Sequence, residues 1–260
     1  MTVAASSVLG RPLWYELMTS DPKAAETFYK TVVGWSSTPF EQSPEPYTMF
    51  QRSGDVPVGG LLKTPEGVNA PPFWAMYVGA PKLEEAVKKI EQLGGSQCSP
   101  VIDVPTVGRM QMVRDPQGAA FYVYEPENDP KQPEGTPEVG EASWLELMTT
   151  DAPAALKFYS DVFGWQPSET MDMGDMGKYY MFNRPHGMIG GMMNKSAEMA
   201  DVPPNWQIYF LVPDIDAAVK RITENGGQIL NGPMEVPGGD RVLNALDPQG
   251  AAFSLHAKKA

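Results

Sequence analysis

The chain has 260 residues, 42% hydrophobic and 20% charged, with 20 Lys and Arg against 32 Asp and Glu for a formal charge of −12. That composition describes a globular chain and excludes a disordered one, and an acidic chain without a basic patch excludes nucleic acid and anionic lipid as partners. A single cysteine, Cys98, excludes an internal disulfide scaffold and a CxxC zinc or redox motif. No stretch approaches the roughly 18 apolar residues of a membrane span, and the start lacks the basic and apolar regions of a secretory signal. A cytoplasmic protein with a small-molecule or protein partner is the expectation.

Leu13 to Thr19 is rich in β-type residues and predicts the first strand. Asp21 stands where an N-cap opens a helix, and Ala24, Ala25, Phe28, Tyr29, Val32 and Val33 follow at helical spacing until Gly34 ends it. Strands are predicted near 35–40, 46–52 and 57–63. The rhythm then restarts, with a strand at 73–78, a helix over 82–93 halted by Gly94 and Gly95, and strands near 97–104, 109–114 and 119–124.

The second half repeats the first. Trp14-Tyr15-Glu16-Leu17-Met18-Thr19 matches Trp144-Leu145-Glu146-Leu147-Met148-Thr149 at an offset of 130, and Asp21, Phe28-Tyr29 and Gly34-Trp35 are answered by Asp151, Phe158-Tyr159 and Gly164-Trp165. Farther on, Trp74 and Tyr77 match Trp206 and Tyr209, and the run DPQGAAF at 115–121 recurs identically at 247–253, at an offset of 132. The proline-, glycine- and charge-rich segment between them reads as a solvated linker. The expected organisation is two α+β domains, 10–126 and 141–258, joined by a linker over 127–140, with four βαβββ units in all.

This order, with FYxxxxGW after the first helix and DPxGxxF before the last strand of each half, resembles the vicinal oxygen chelate superfamily of glyoxalase I, bleomycin resistance proteins, fosfomycin-modifying enzymes and extradiol dioxygenases. The likeness is to its two-domain glyoxalase-like branch. It implies tandem glyoxalase-like domains in which pairs of βαβββ units form two cupped mixed sheets with helices on the convex side, as a monomeric pseudo-dimer or a homodimer. It also implies a metal on the concave side. The implied ligands are a His or Gln seven residues before the helix-opening Asp, a His on the first strand of the next unit, and a Glu four residues after the glycine of the DPxG turn. Here those places hold Trp14, Ala75 and Tyr122 in the first half and Trp144, Gln207 and Ser254 in the second. Indole, methyl and phenol groups do not make a divalent site, so no metal and no cofactor is expected, with a metal on atypical ligands as the alternative.

Glu16 and Glu146 lie two residues after the vacated ligand place and, at the strand period of two, point to the same face as it. Such a carboxylate is a candidate general base or a holder of a cationic or hydroxyl-bearing ligand; it equally suits a structural acceptor for a tyrosine or a backbone N–H. His256 lies two residues after Ser254 and forms a candidate proton-transfer pair with Glu146, against the reading of a frayed C-terminal residue. Trp14, Trp144, Trp74, Trp206, Tyr122, Tyr124, Gln207 and Ser254 are the candidate ligand contacts, the tryptophans suiting a core as well. His186 falls at a hairpin tip, and Arg109 and Arg241 suit either an anionic ligand or a turn. Eight Met between 171 and 199 suit apolar packing against a partner or, as soft ligands, copper. The expected function is that of a glyoxalase- or bleomycin-resistance-like protein that binds or converts a small molecule in a metal-poor cup. The alternatives are a metal-dependent lyase of glyoxalase type or a dioxygenase with atypical ligands, and a protein-interaction module using the Met-rich segment.

Overall fold

A computed structural model describes residues 8–43, 45–65, 70–129, 135–184 and 187–259. The first module runs β1 (Pro12–Thr19), α1 (Pro22–Val32), β2 (Ser36–Pro39), β3 (Tyr47–Arg52) and β4 (Val56–Lys63). The second runs β5 (Phe73–Gly79), α2 (Leu83–Gln92), β6 (Ser96–Gln97), β7 (Ile102–Val104), β8 (Gly108–Arg114) and β9 (Ala120–Pro126). The third holds β10 (Ala142–Thr149), α3 (Ala152–Phe163), β11 (Gln166–Asp172), β12 (Lys178–Arg184) and β13 (Gly187–Asn194). The fourth holds β14 (Asn205–Leu211), α4 (Ile215–Glu224), β15 (Gln228–Glu235), β16 (Arg241–Leu246) and β17 (Ala252–Ala257). The fold is therefore α+β, with four βαβββ modules and two mixed sheets of nine and eight strands among the described residues. No helix of the described residues is long and apolar enough to cross a membrane.

Local chemistry explains the element ends. Asp21 and Asp151 each accept a hydrogen bond from the backbone N–H three residues on, at 3.1 and 3.0 Å, with proline in the first turn behind them. Gly164 closes α3 in the left-handed region at φ 73°, which a residue with a Cβ enters only at a cost. The one strand expected over 97–104 is split into β6 and β7, because Pro100 has no N–H to give the ladder and Ser99 turns its hydroxyl to the N–H of Met112 instead.

The described residues gather into two compact units. Unit I takes those of 1–13, 76–133 and 145–206, and unit II those of 14–75, 134–144 and 207–260. Each unit thus combines the leading module of one half with the trailing module of the other. In unit II the strands run β2-β3-β4-β1 and β14-β17-β16-β15, and in unit I they run β11-β12-β13-β10 and β5-β9-β8-β6.

A repeated clamp explains why two motifs recur in the sequence. In unit II the Trp74 indole donates to the Tyr29 hydroxyl at 2.9 Å, and Tyr29 donates to Asp247 at 3.1 Å. The other oxygen of Asp247 accepts the backbone N–H groups of Gln249 and Ala251 in the DPQG turn. Unit I repeats this with Trp206, Tyr159 and Asp115, at 2.9 and 3.1 Å. Because an indole only donates, the single proton of each phenol is left for the carboxylate, and the direction of both chains is fixed. The tryptophan of each FYxxxxGW motif is tied down too, Trp35 to the carbonyl of Gly140 and Trp165 to that of Gly10. A Cβ on Gly10 would stand 2.5 Å from the Phe163 carbonyl oxygen, which explains the glycine. Around each clamp lies an aromatic core: Trp35, Phe50, Phe210 and Phe253 in unit II, and Phe121, Phe163, Trp165 and Phe182 in unit I.

The repeat also leaves a flaw in duplicate. Thr19 and Thr149 end β1 and β10 fully buried, and neither hydroxyl has a hydrogen-bond partner among the described residues. Burying an unpaired hydroxyl costs about 1–3 kcal/mol, and valine has the same shape without it. Thr19→Val and Thr149→Val are each expected to raise the stability by about 1 kcal/mol in denaturant unfolding; a loss would show that the hydroxyls serve a purpose.

Candidate functional site

The carboxylates singled out by strand period are held in the same way in both units. In unit II, Glu16 of β1 stands beside Gly60 of the parallel strand β4, and Tyr47 starts β3 on the far side of β4. The Tyr47 ring reaches across β4 over Gly60 and donates its hydroxyl proton to Glu16 at 2.8 Å, while the Trp14 indole donates to the Tyr47 oxygen at 2.8 Å. The crossing needs the glycine, since a Cβ there would sit 1.7 Å from the phenol oxygen. Phe50, opposite in alternation to Tyr47 on β3, packs on Tyr29 of α1, so Tyr47 and Glu16 occupy the face turned away from that helix. Glu16 itself is only 7% exposed.

Unit I repeats the arrangement. Glu146 pairs in register with Gly191 of β13, and Tyr179 of β12 crosses over Gly191 to donate to Glu146 at 2.9 Å. A Cβ on Gly191 would lie 2.1–2.4 Å from the Tyr179 ring edge and hydroxyl. Sequence reading reached the two glutamates but not Tyr47, Tyr179, Gly60 or Gly191. The signal was present as Tyr47-Thr48-Met49-Phe50 beside Tyr179-Tyr180-Met181-Phe182, and as paired glycines at 59–60 and 190–191.

The fourth module places Gln207, Ser254 and His256 on the same side of its strands. Ser254, fully buried, donates to Gln207 at 2.8 Å and accepts from Asn244 at 2.8 Å. His256 is half-buried rather than frayed, with Nδ1 2.8 Å from the Ser143 hydroxyl and Nε2 2.9 Å from Asp240. Ser143 passes its proton to the Tyr209 carbonyl, so this line of three residues ties β17 to β10 and does not present an activated nucleophile. The backbone N–H of Lys259, then His256, hold the Asp240 carboxyl below its usual range. Glu146, at its own phenol, and His256, between Ser143 and Asp240, have separate sets of partners.

The remaining candidates divide between face and core. Trp14 and Trp144 are half-buried, and Trp14 belongs to the Glu16 constellation. Trp74 and Trp206, expected to stack on a ligand or to fill a core, are 6% exposed and fill the cores as the first members of the clamps. In unit I, Tyr122 stacks on Tyr77 with ring centres 4.3 Å apart, and Tyr124, whose phenol is pushed up by burial, donates to the Val107 carbonyl. Arg109 pairs with Glu84, and Arg241 forks onto Asp216 at 2.6 and 3.0 Å, so each arginine pins a strand to the start of a helix. Of the methionine run, Met192 is fully buried and Met181 nearly so. His186 lies outside the described residues.

Known proteins match most of this chain. A sequence profile of the Glyoxalase/Bleomycin resistance protein/Dioxygenase superfamily matches residues 142–255, and one of a glyoxalase-like domain matches 15–124. CFP32 of Mycobacterium tuberculosis (strain CDC 1551 / Oshkosh), which carries a provisional glyoxylase name, is 32% identical over 253 residues, 95% of this chain and 94% of that protein. The chain belongs to the glyoxalase superfamily. Another relative, the anthracycline biosynthesis protein DauV of Streptomyces sp. (strain C5), is 30% identical over 95% of this chain and 92% of its own. Among solved structures, the Mn(II)-bound glyoxalase from Novosphingobium aromaticivorans shares the fold at a TM-score of 0.63 and 19% identity, over 97% of this chain and 83% of that one.

That last likeness corrects one expectation of the sequence. A chain of this superfamily was expected to work with no cofactor, and a glyoxalase of the same fold holds Mn(II). The side chains here are a poor match to such an ion. Among the described residues no three His, Cys, Asp or Glu side chains come together, and Gln207 and Ser254 turn their oxygens to each other and to Asn244.

Proposed function

We propose that this glyoxalase-superfamily protein binds a small carbonyl- or hydroxyl-bearing molecule against the faces that carry Glu16 and Glu146, and moves a proton on it with those carboxylates. The observation that carries this reading is the recurrence of the whole Glu–Tyr–Gly constellation. In each unit a glycine has been kept where only its missing side chain lets a tyrosine reach the glutamate. Core packing alone gives no reason to empty a strand position for this purpose. A carboxylate oriented by a phenol donor can accept a proton from a ligand, the phenol fixing the position of the group that receives it. Trp14 and Trp144 supply apolar surface for the ligand, and the names of the relatives, a glyoxylase and an anthracycline biosynthesis protein, fit small organic ligands. Each half, 10–126 and 141–258, would supply one such constellation, and the protein would act in the cytoplasm.

A thermal-shift screen of small carbonyl metabolites and aromatic antibiotics tests the binding half of the proposal. Ligands that raise the melting temperature of the natural protein are expected to lose at least about tenfold in affinity with Glu16→Gln or Glu146→Gln, substitutions of nearly the same shape that keep the ligand-free melting temperature within a few degrees. Hits that bind the double variant equally well would defeat it. The same screen repeated with Mn(II) shows whether a divalent ion takes part: an ion held by either carboxylate stabilises the natural protein and not the corresponding Gln variant.

A further inference from the structure

We propose that the fourth module carries a donor–acceptor site, built from the side-chain amides of Gln207 and Asn244 around Ser254, for a ligand edge with an N–H beside a carbonyl, as in a lactam or imide. The inference rests on the small-molecule reading above and adds the class of ligand. Gln207 and Tyr209 on β14, Asn244 on β16 and Ser254 on β17 share one face, because Asn244 pairs with Ser254 across the antiparallel ladder and Tyr209 pairs with Ser254 across the parallel one. The alternating residues Ile208, Phe210, Leu243, Ala245, Phe253 and Leu255 are at most 1% exposed and form the packed side.

Ser254 sets the arrangement by proton counting. A serine has one hydroxyl proton, which here goes to the Gln207 carbonyl oxygen at 2.8 Å, and its oxygen accepts the Asn244 amide at 2.8 Å. The Asn244 nitrogen is also 3.2 Å from the Tyr209 hydroxyl and 3.3 Å from the Gln207 oxygen, so both amide planes are held before any ligand arrives. The amide ends left over are the NH2 of Gln207 and the carbonyl of Asn244, on two half-buried side chains, and neither has a partner among the described residues. Reversing the sense of the chain would still leave one amide N–H and one amide carbonyl. A half-buried donor beside a half-buried acceptor is complementary to a ligand edge carrying the same two groups in the opposite order. The fold does not need these amides, since the corresponding residues of the first half are Ala75 for Gln207, Met112 for Asn244 and Tyr122 for Ser254.

The test is a nuclear magnetic resonance titration of the full chain with 2-pyridone and with N-methyl-2-pyridone, following the side-chain amide signals of Gln207 and Asn244. The expected result is saturable movement of both signals with 2-pyridone, and at least about tenfold weaker binding on N-methylation, Gln207→Ala or Asn244→Met, variants that copy residues the first half already tolerates. Unmoved amide signals, or equal binding of the two pyridones, would overturn the proposal. The wider reading fails separately: if 2-pyridone binds as described but no thermal-shift hit depends on Glu16 or Glu146, the amide site stands and the carboxylate reading falls. If the hits depend on the glutamates while 2-pyridone leaves the amides unmoved, the reverse holds.

Discussion

Asp247→Ala is expected to destabilise unit II by about 3–5 kcal/mol, and Asp115→Ala to do the same to unit I, the largest losses of stability from any single substitution considered. Each aspartate is 3% exposed and receives a phenol and several backbone N–H groups, so its removal orphans buried donors rather than one contact. At about 2–4 °C per kcal/mol, the calorimetric transition of the affected unit should fall by about 10 °C. Tyr29→Phe and Tyr159→Phe, which leave the turn bonds in place, should cost less. The titration behaviour follows from the same burial. Desolvation raises both aspartates above the ordinary carboxylate value of 3.8, against the hydrogen bonds that lower them. Their contribution is therefore fully present below that value and is lost as pH rises through the raised one, so these two groups oppose acid unfolding. Burial, then the neighbouring aspartate, raises Tyr29 and Tyr159 well above 10.0. Their contribution is complete below 10.0 and disappears as pH climbs through the folded values. Ultraviolet titration should show Tyr29 and Tyr159 ionising well above the exposed tyrosines, with one fewer such group in each Tyr→Phe variant.

Gly60→Ala and Gly191→Ala should have the largest effect on function. The new methyl at Gly60 would lie 1.7 Å from the Tyr47 oxygen and 2.3 Å from the ring carbon that bears it, so the phenol has to leave Glu16. Overpacking of this kind costs about 1–3 kcal/mol. Ligand binding should fall to the level of Tyr47→Phe, which removes the same hydrogen bond without a clash. A double-mutant cycle separates the two effects. Tyr47→Ala empties the space, so adding Gly60→Ala on that background should cost almost nothing, a coupling of about 1–3 kcal/mol. Additive losses would mean that the glycine serves the strand and not the tyrosine. The matching cycle of Tyr179 and Gly191 should give the same result in unit I.

What could be read from the sequence and what could not follow from how each residue is used. The recurring Phe28-Tyr29, Gly34-Trp35 and DPQGAAF segments were legible because each of the two units needs its clamp, with Tyr29 on Asp247 and Trp35 on Gly140 in unit II, and a structural need repeats in the letters. Strand period correctly put Trp14 beside Glu16, but it gives a face without saying which face a helix will cover, so Trp74 and Trp206 could not be told from ligand platforms. Tyr47 and Tyr179 were missed because their role depends on strand register, on an absent Cβ in the neighbouring strand and on a glutamate two strands away. The insertion that moves the offset from 130 to 132 also falls between the first helix and these strands. The cofactor-free expectation rested on the residues at three ligand positions of each half, whereas a glyoxalase that shares the fold holds Mn(II).

The most direct test of the central claim is solvent deuterium exchange into the thermal-shift hits, followed by proton nuclear magnetic resonance. If Glu16 and Glu146 act as bases, the natural protein should speed exchange of the C–H next to the ligand's carbonyl, or give a product that carries solvent deuterium at that carbon. Glu16→Gln together with Glu146→Gln should slow this by at least about a hundredfold, within the range of general-base catalysis, and Tyr47→Phe with Tyr179→Phe should slow it less. Bound ligands that exchange no faster than in buffer, or exchange that survives the loss of both glutamates, would contradict the account.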